Sequence, residues 1–227
     1  MKLKGILLDM DNTLYDYNRA HKIAIDATLD LFEEKFLFPR NALSKAYQIA
    51  RSAINKELQG TASCHNRILY FQRMCELLKI SNLKGMLEAY ERYWSIFLDN
   101  MEIYDGVCEF LESVKGMKIC LLSDLTAHIQ HRKIQRLRLS QYIDFLVTSE
   151  EVGKEKPHPS IFKCGLKKLR LSHLDVCMIG DSFEKDITGA KRLKIKSFWL
   201  NKQNDLRKSN PLVTSFDNFF ELMEYLK

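Results

Sequence analysis

The sequence predicts an α/β fold: a parallel sheet flanked by helices, with a helical module inserted after the first strand. Three observations carry this. From about Met101 onward, short apolar runs alternate with amphipathic segments, the pattern of parallel strands joined by right-handed crossovers. Between about Tyr17 and Asn100 the periodicity is helical almost throughout, with nothing that reads as a strand. The chain has 227 residues, 46% of them hydrophobic, enough to bury a sizeable core, in one large domain or in a domain with a smaller one inserted.

The elements follow in order. "LKGILLD" is apolar enough to be the buried centre of the sheet. In the helical stretch, Ile23, Ala27 and Leu31 recur on one face, as do Leu43, Ala46, Ala50 and Ile54, and later Leu87, Tyr90, Trp94 and Phe97. "LQGTASCHNR", Leu58 to Arg67, interrupts these helices with Gly60 and small polar residues and reads as a loop. "KICLLSD" is a strand ending at Ser123, and "AHIQHRKIQRLRL" a helix. "DFLVTSE" is a strand, "PSIFKCGLKKL" a helix opened by Pro159, and "DVCMIGD" a strand. "EKDITGAKRLK" is a helix, "KSFWL" a short strand, and "FDNFFELMEYL" a closing amphipathic helix.

Composition narrows the function classes. No stretch approaches the length of a membrane span, and the N-terminus lacks a signal peptide's hydrophobic segment. The six cysteines are scattered without a C-x-x-C pair, which speaks against a disulfide framework or a zinc site. A cytoplasmic, reduced setting is the expectation, with no membrane partner. The formal charge is +6, but lysines and arginines are dispersed among acids, so no nucleic-acid partner is expected. The densest cationic segment, "HRKIQRLRLS", reads as a helix whose Ile134, Leu137 and Leu139 leave a solvated basic face; His128 and His131, three apart, could pair on a metal but read as part of that basic surface helix. The oligomeric state is left open.

The chemistry gathers at the strand ends, where open parallel sheets bind ligands. The first strand ends in Asp9-Met10-Asp11-Asn12-Thr13, the second in Ser123-Asp124, and a later one in Gly180-Asp181-Ser182, with Asp186 five residues after Asp181. "GKEKPHP" offers Lys156. If these ends converge, Asp9, Asp11 and Asp181 crowd one site, and like charges at that spacing require a compensating cation. Carboxylate oxygens with no His or Cys beside them suit Mg²⁺. Ser123 and Lys156 add a hydroxyl and a point charge suited to phosphate oxygens.

With these residues in place, the sequence resembles the haloacid dehalogenase-like (HAD) hydrolase superfamily, in the helical-cap (C1, subfamily I) phosphatase type. D-x-D-x-T appears as Asp9 to Thr13, the motif-two Ser/Thr as Ser123, the Lys before Pro as Lys156-Pro157, and G-D-x-x-x-x-D as Gly180, Asp181 and Asp186. The four motifs keep the family's order and span nearly the whole chain. The resemblance implies a Rossmann-like catalytic core at residues 1–16 and 100–227 and a helical cap at 17–99. It implies a two-step phosphoryl transfer on a small phosphorylated metabolite, a nucleoside monophosphate or sugar phosphate. Asp9 would be the nucleophile that forms an aspartyl-phosphate, and Asp11 the general acid and then base. Mg²⁺ would be held by Asp9, Asp181 and the main-chain carbonyl of Asp11, with Asp186 supporting. Ser123, Asp124 and Lys156 would lie at the phosphoryl group. Dehalogenating members lack an acid at the position of Asp11, which argues for ester chemistry here.

Two positions depart from the family pattern. Asp124 stands where Asn is common, and a carboxylate beside phosphate must point away, be screened by a cation, or reach substrate hydroxyls. Lys185, directly before Asp186, also replaces a frequent Asn and is placed to neutralise part of the acidic cluster. In the cap loop, His65 and Arg67, with Ser63 and Asn66, are the candidates for reading hydroxyls or a second anionic group; Arg51 precedes them on a helix. Tyr15 and Tyr17 fall where the chain leaves the core, as lining or as hinge anchors. A phosphomutase shares the same motifs, and a non-catalytic phosphometabolite-binding module keeps the same fold, so both stand beside the hydrolase.

Overall fold

The apolar run after Lys4 becomes strand β1 (Gly5–Leu8), with all four residues buried. It sits inside a parallel sheet with β2 (Lys118–Ser123) on one side and β4 (Val176–Gly180) on the other. Beyond them lie β3 (Phe145–Thr148), β5 (Lys196–Leu200) and β6 (Val213–Phe216), in the order β3-β2-β1-β4-β5-β6. The computed structural model that shows this describes residues 3–80, 84–202 and 211–226. Register aligns Leu8 with Leu121 and with Ile179, so the C-terminal ends of β1, β2 and β4 come out side by side. The chain runs outward from β1 to β3 and then returns to β4 at its other side. Asp9, Ser123 and Asp181 therefore emerge around the point where strand order reverses.

The chain divides into two compact units: Met1–Asp16 with Glu102–Lys227, and Tyr17–Met101. In the sheet unit the described helices are α5 (Val107–Ser113), α6 (Ala127–Arg136), α7 (Ser149–Val152), α8 (Pro159–Leu169), α9 (Thr188–Arg192) and α10 (Phe219–Leu226). One face of the sheet packs Leu7, Cys120, Leu122, Val147 and Met178 against Ile161 and Phe162 of α8. Burying each such Leu or Phe side chain stabilises the fold by roughly 2 kcal/mol relative to exposure. Gly165 brings α8 down onto the strands, since a Cβ there would meet Leu7 at 2.8 Å and Leu122 at 3.0 Å. His158 caps α8, its side chain accepting from Ser160 N, and Pro159 opens the helix without losing a needed donor.

The helical unit consists of α1 (Tyr17–Phe36), α2 (Arg40–Glu57), α3 (Arg67–Leu77) and α4 (Lys84–Asp99), with α1 packed on α4 and α2 on α3. Its core is aromatic: Tyr93 lies edge-on to Trp94 at 5.0 Å, Trp94 to Phe97 at 5.2 Å, and Phe32 packs on Phe71 at 5.8 Å. No helix among the described residues is long and apolar enough to cross a membrane.

Four expectations need correction. Leu87 is 62% exposed, and the buried stripe of α4 runs through Met86, Ala89, Tyr93, Trp94 and Phe97 instead. The apolar periodicity tolerates either reading until a partner helix selects one face. The segment expected as a loop is a turn at Gly60, φ +82°, followed by a 3₁₀ turn at Ala62–His65, and Arg67 already belongs to α3. "VTSF" forms the edge strand β6, which is half-polar and so escaped the apolar-run criterion. Lys133, assigned to a solvated basic face, is fully buried, as is Gln130 beside it, while His128 and His131 on the same helix are exposed.

Candidate active site

Asp9 follows β1, its N–H donating to Ile179 O of β4 at 2.9 Å. The chain then turns tightly through Asn12, φ +65°, a left-handed conformation that Asn tolerates better than most residues. The turn brings Thr13 back beneath Asp9. The buried Thr13 hydroxyl donates to Asp9 Oδ2 at 2.7 Å, lies 3.2 Å from Asp181 Oδ1, and accepts from Asp181 N at 3.0 Å. One hydroxyl thus ties the end of β1 to the end of β4.

After β4 the chain forms a single π-helical turn, Phe183–Ile187, with Ser182 O accepting from both Asp186 N and Ile187 N. Such turns concentrate at functional sites. This one folds Asp186 back so that Oδ2 accepts from Ser182 N at 3.0 Å. Gly180 makes the return possible, because a Cβ there would overlap the Asp186 carboxylate. Carboxylate oxygens of Asp9, Asp181 and Asp186 consequently lie within 4.8 Å of one another.

One cation faces them. The buried Lys156 ammonium pairs with Asp9 Oδ1 and, at 2.8 Å, with Asp186 Oδ1, and donates to Leu122 O at 3.1 Å. Burial works against its charge, but Asp186, Asp9 and Asp124 outweigh that and hold the Lys156 pKa well above its ordinary range. Three carboxylates against this ammonium leave two negative charges unbalanced when all are ionised. Burial, then the Asp9 charge, pushes Asp181 up to about 7; burial pushes Asp186 up to about 8, with Asp9 and Asp181 adding to it against Lys156. A set of hard oxygen donors with unbalanced negative charge, Asp9 and Asp186 buried and Asp181 half-buried, fits a divalent cation of the magnesium type.

The Asp11 side chain stands apart from this cluster. Its Oδ1 accepts from Lys133 Nζ at 2.6 Å and from the Tyr15 hydroxyl, and its Oδ2 lies 3.4 Å from Gln130 Nε2. Burial alone would raise its pKa. The Lys133 charge and the hydrogen bonds from Lys133 and Tyr15, aided by Lys156, instead hold it below the usual carboxylate range. Gln130 Nε2 also donates to Ser123 Oγ at 2.6 Å, which joins the second strand end to Asp11. Lys133 and Gln130 were not assigned to this site on sequence grounds, whereas Tyr15, read as lining or hinge anchor, reaches Asp11. The available signal was two polar residues, Gln130 and Lys133, on the same helical face as Ile129, Ile134 and Leu137.

Asp124, expected at the phosphoryl group, has a partner on each of its carboxylate oxygens. Its Oδ1 accepts from Lys156 N at 2.8 Å and its Oδ2 pairs with Lys185 Nζ at 2.9 Å. It braces the loop that carries Lys156, and Lys185 neutralises it rather than the metal-type cluster. In the helical unit, Arg67 is buried to 3% exposure. It donates to Tyr93 Oη at 3.1 Å, to His65 O at 2.5 Å and to the Tyr17 hydroxyl. Of the two cap candidates, Arg67 therefore has its guanidinium inside the unit's aromatic core, and His65 contributes its carbonyl to it.

Known proteins resemble this chain over most of its length. It is 35% identical over 197 residues to the ribulose-1,5-bisphosphate 5-phosphatase of Halopiger xanaduensis, covering 85% of this chain and 82% of that protein. It is 27% identical over 242 residues to the glyceraldehyde 3-phosphate phosphatase of Methanocaldococcus jannaschii, covering 99% of each. Identity to the human N-acylneuraminate-9-phosphatase is 26% over 218 residues, 93% of this chain and 88% of the other. The crystal structure of the HAD-hydrolase YfnB from Bacillus subtilis superimposes with a TM-score of 0.75 at 18% identity, covering 100% of this chain and 99% of that one, a likeness of fold. The haloacid dehalogenase-like hydrolase family matches residues 6–200, a span that holds β1 from Ile6, β2 to β5 and the ends of β1, β2 and β4. On this match, on the relative at 35% identity and on the ordered strand-end residues, the chain belongs to the haloacid dehalogenase-like hydrolase family.

Proposed function

We propose that this member of the family is a Mg²⁺-dependent phosphoric monoester hydrolase acting on a small carbohydrate phosphate through an aspartyl-phosphate. The observation that carries the reading is the convergence of Asp9, Asp181 and Asp186 around the single ammonium of Lys156. The relatives support the substrate class, since each is named for a phosphorylated sugar or sugar derivative and none of the three for a nucleotide.

Asp9 is the nucleophile in this reading. Thr13 pins its Oδ2, which fixes the carboxylate plane and leaves Oδ1 as the oxygen that attacks phosphorus once Lys156 moves onto the phosphoryl oxygens. Lys156 and Ser123 then bind those oxygens, and Asp124 holds the Lys156 loop in place. Asp9, Asp181 and the carbonyl of Asp11 would hold Mg²⁺, with Asp186 supporting, and the ion would supply charge neutralisation for the phosphoryl group. Asp11, ionised against Lys133 and Tyr15, is in the state of a general base for the hydrolytic water. To protonate the leaving oxygen in the first step it must leave Lys133 and gain a proton, so Lys133 positions the acid between its two roles. The helical unit acts as the cap that excludes bulk water and selects the leaving group.

The test is phosphate release from p-nitrophenyl phosphate and from a panel of sugar phosphates, with Mg²⁺ and with EDTA. Wild type should turn over only with metal, and Asp9→Asn should lose about 10³-fold or more while folding normally. Turnover that persists in Asp9→Asn would remove Asp9 as nucleophile. Strict dependence on a bisphosphate activator would indicate a mutase.

A further inference from the structure

Helix α6 buries two polar side chains among its apolar ones. Gln130 and Lys133, about one turn apart, are both fully buried together with Ile129 and Ile134. Lys133 is matched by a charge, the carboxylate of Asp11. Gln130 is only half satisfied. Its Nε2 lies 2.6 Å from Ser123 Oγ and 3.4 Å from Asp11 Oδ2, while its Oε1 is buried without a hydrogen-bond partner among the described residues. A buried amide carbonyl with no donor works against folding. An apolar side chain of similar length would avoid that cost, so packing alone does not account for the amide.

The neighbours fix which way the amide faces. Asp11 takes the Lys133 ammonium and the Tyr15 hydroxyl on Oδ1, and a carboxylate paired with an ammonium offers only acceptors at Oδ2. The nitrogen end of Gln130 therefore faces Asp11 and Ser123, and the oxygen end is the one left over. Ser123 Oγ accepts from that nitrogen, and its own O–H has no acceptor among the described residues. A hydroxyl oxygen that accepts from a fixed donor keeps its proton for a different group. Ser123 closes β2 beside the end of β1, and the Lys156 ammonium that pairs with Asp9 donates to the neighbouring Leu122 O. The unspent proton thus belongs to the same strand ends as Asp9 and Lys156.

We propose that Gln130 is a positioning residue that acts through Ser123: by donating to Ser123 Oγ it commits the Ser123 hydroxyl to donating, ready for an oxygen of the phosphoryl group. A donor oriented before the reaction costs no reorganisation when charge develops on that oxygen. Without the amide the hydroxyl is free to rotate, and its proton must be recruited anew at each turnover. The inference rests on the phosphatase reading and adds a division of labour on one helix: Lys133 serves Asp11, and Gln130 serves Ser123.

The experiment is a double-mutant cycle on wild type, Gln130→Met, Ser123→Ala and the double variant, read as kcat/KM on p-nitrophenyl phosphate and the sugar-phosphate panel with Mg²⁺, and as the urea midpoint of unfolding. Gln130→Met should lose about tenfold in kcat/KM, yet cost less than about twofold when added to Ser123→Ala, because the group it acts through is then gone. Its urea midpoint should equal or exceed that of wild type, since the unpartnered carbonyl is removed. Losses that multiply across the two positions, a Gln130→Met as active as wild type, or a Gln130→Met that unfolds at lower urea or fails to fold each overturn the proposal. If wild type hydrolyses no ester, the phosphatase reading fails, and the cycle is read instead as affinity for inorganic phosphate with Mg²⁺. A weakening by Gln130→Met that disappears in the Ser123→Ala background then upholds the role of Gln130. Equal affinity in Gln130→Met, or no phosphate binding by wild type, overturns it.

Discussion

The sheet unit and the helical unit each bury a charge cluster that their own side chains leave unbalanced, and the signs are opposite. At the ends of β1 and β4, the carboxylates of Asp9, Asp181 and Asp186 share one ammonium. Among the helices, two arginines flank a neutral imidazole with no carboxylate in contact among the described residues. Leaving buried charge uncompensated is costly, and both units have opposite charges elsewhere that folding has used on the surface. The comparison teaches that the acids of the sheet unit outnumber the ammonium they surround, which suits a divalent cation, whereas the arginines of the helical unit are accommodated by hydroxyls and aromatic rings.

The largest further effect is expected at Lys133. Lys133→Met removes the cation that holds Asp11 ionised, so the Asp11 pKa should rise and kcat should fall about ten- to a hundredfold, with the acidic limb of the pH–rate profile displaced upward. A profile that does not move would mean that Lys133 supports the fold and not the acid.

Next in size is a pair of pH effects of opposite sign. Asp181 and Asp186 have folded pKa values, about 7 and about 8, raised above the 3.8 of an ordinary Asp. Their protonated forms favour the fold, so without divalent ions stability is fullest at low pH and falls as pH rises through that interval. Mg²⁺ relieves the repulsion only where the carboxylates are ionised. The Mg²⁺-induced rise in Tm should therefore be larger near pH ~8 than near pH ~6. Equal rises at both pH values would break the cation half of the comparison. His21 behaves in the reverse sense: its folded pKa, about 3, lies below the ordinary 6.5, so its contribution is present above 6.5 and is lost as pH falls towards 3. His21→Gln should flatten the acid-side loss in urea unfolding while leaving the Mg²⁺ response in place.

The smallest effect belongs to Asp124→Asn. An asparagine still accepts from Lys156 N and loses only the pair with Lys185, whose side chain is 40% exposed. Stability by urea unfolding should change by under about 1 kcal/mol, and turnover should stay within about threefold of wild type. A drop of tens of times in kcat would place Asp124 at the substrate after all.

Much of this was legible in the residues. An apolar run that stops at Asp9, and others that stop at Ser123 and Gly180-Asp181, read directly as strand ends, because burial on both sheet faces leaves no room for polar side chains until a strand leaves the sheet. Helical periodicity marked the inserted unit for the same reason. What escaped were residues whose role is set by a partner far along the chain. Lys133 looks like one more cation in a basic helix, and Arg67 like a polar residue in a loop. Nothing local distinguishes them from Lys154 or Arg73 at the surface.

The sequence by itself determined the α/β architecture, the inserted helical unit and the identity of the residues at the strand ends, since hydrophobic period and spacing act over a few neighbours. Only the tertiary structure decided the charge partners. Lys156 meets Asp9 across 147 residues and Lys133 meets Asp11 across 122, while Asp124 pairs with Lys185, 61 residues away. Electrostatic energy depends on distance and burial, which no local pattern encodes, so the direction in which each acid's pKa moves follows from packing alone.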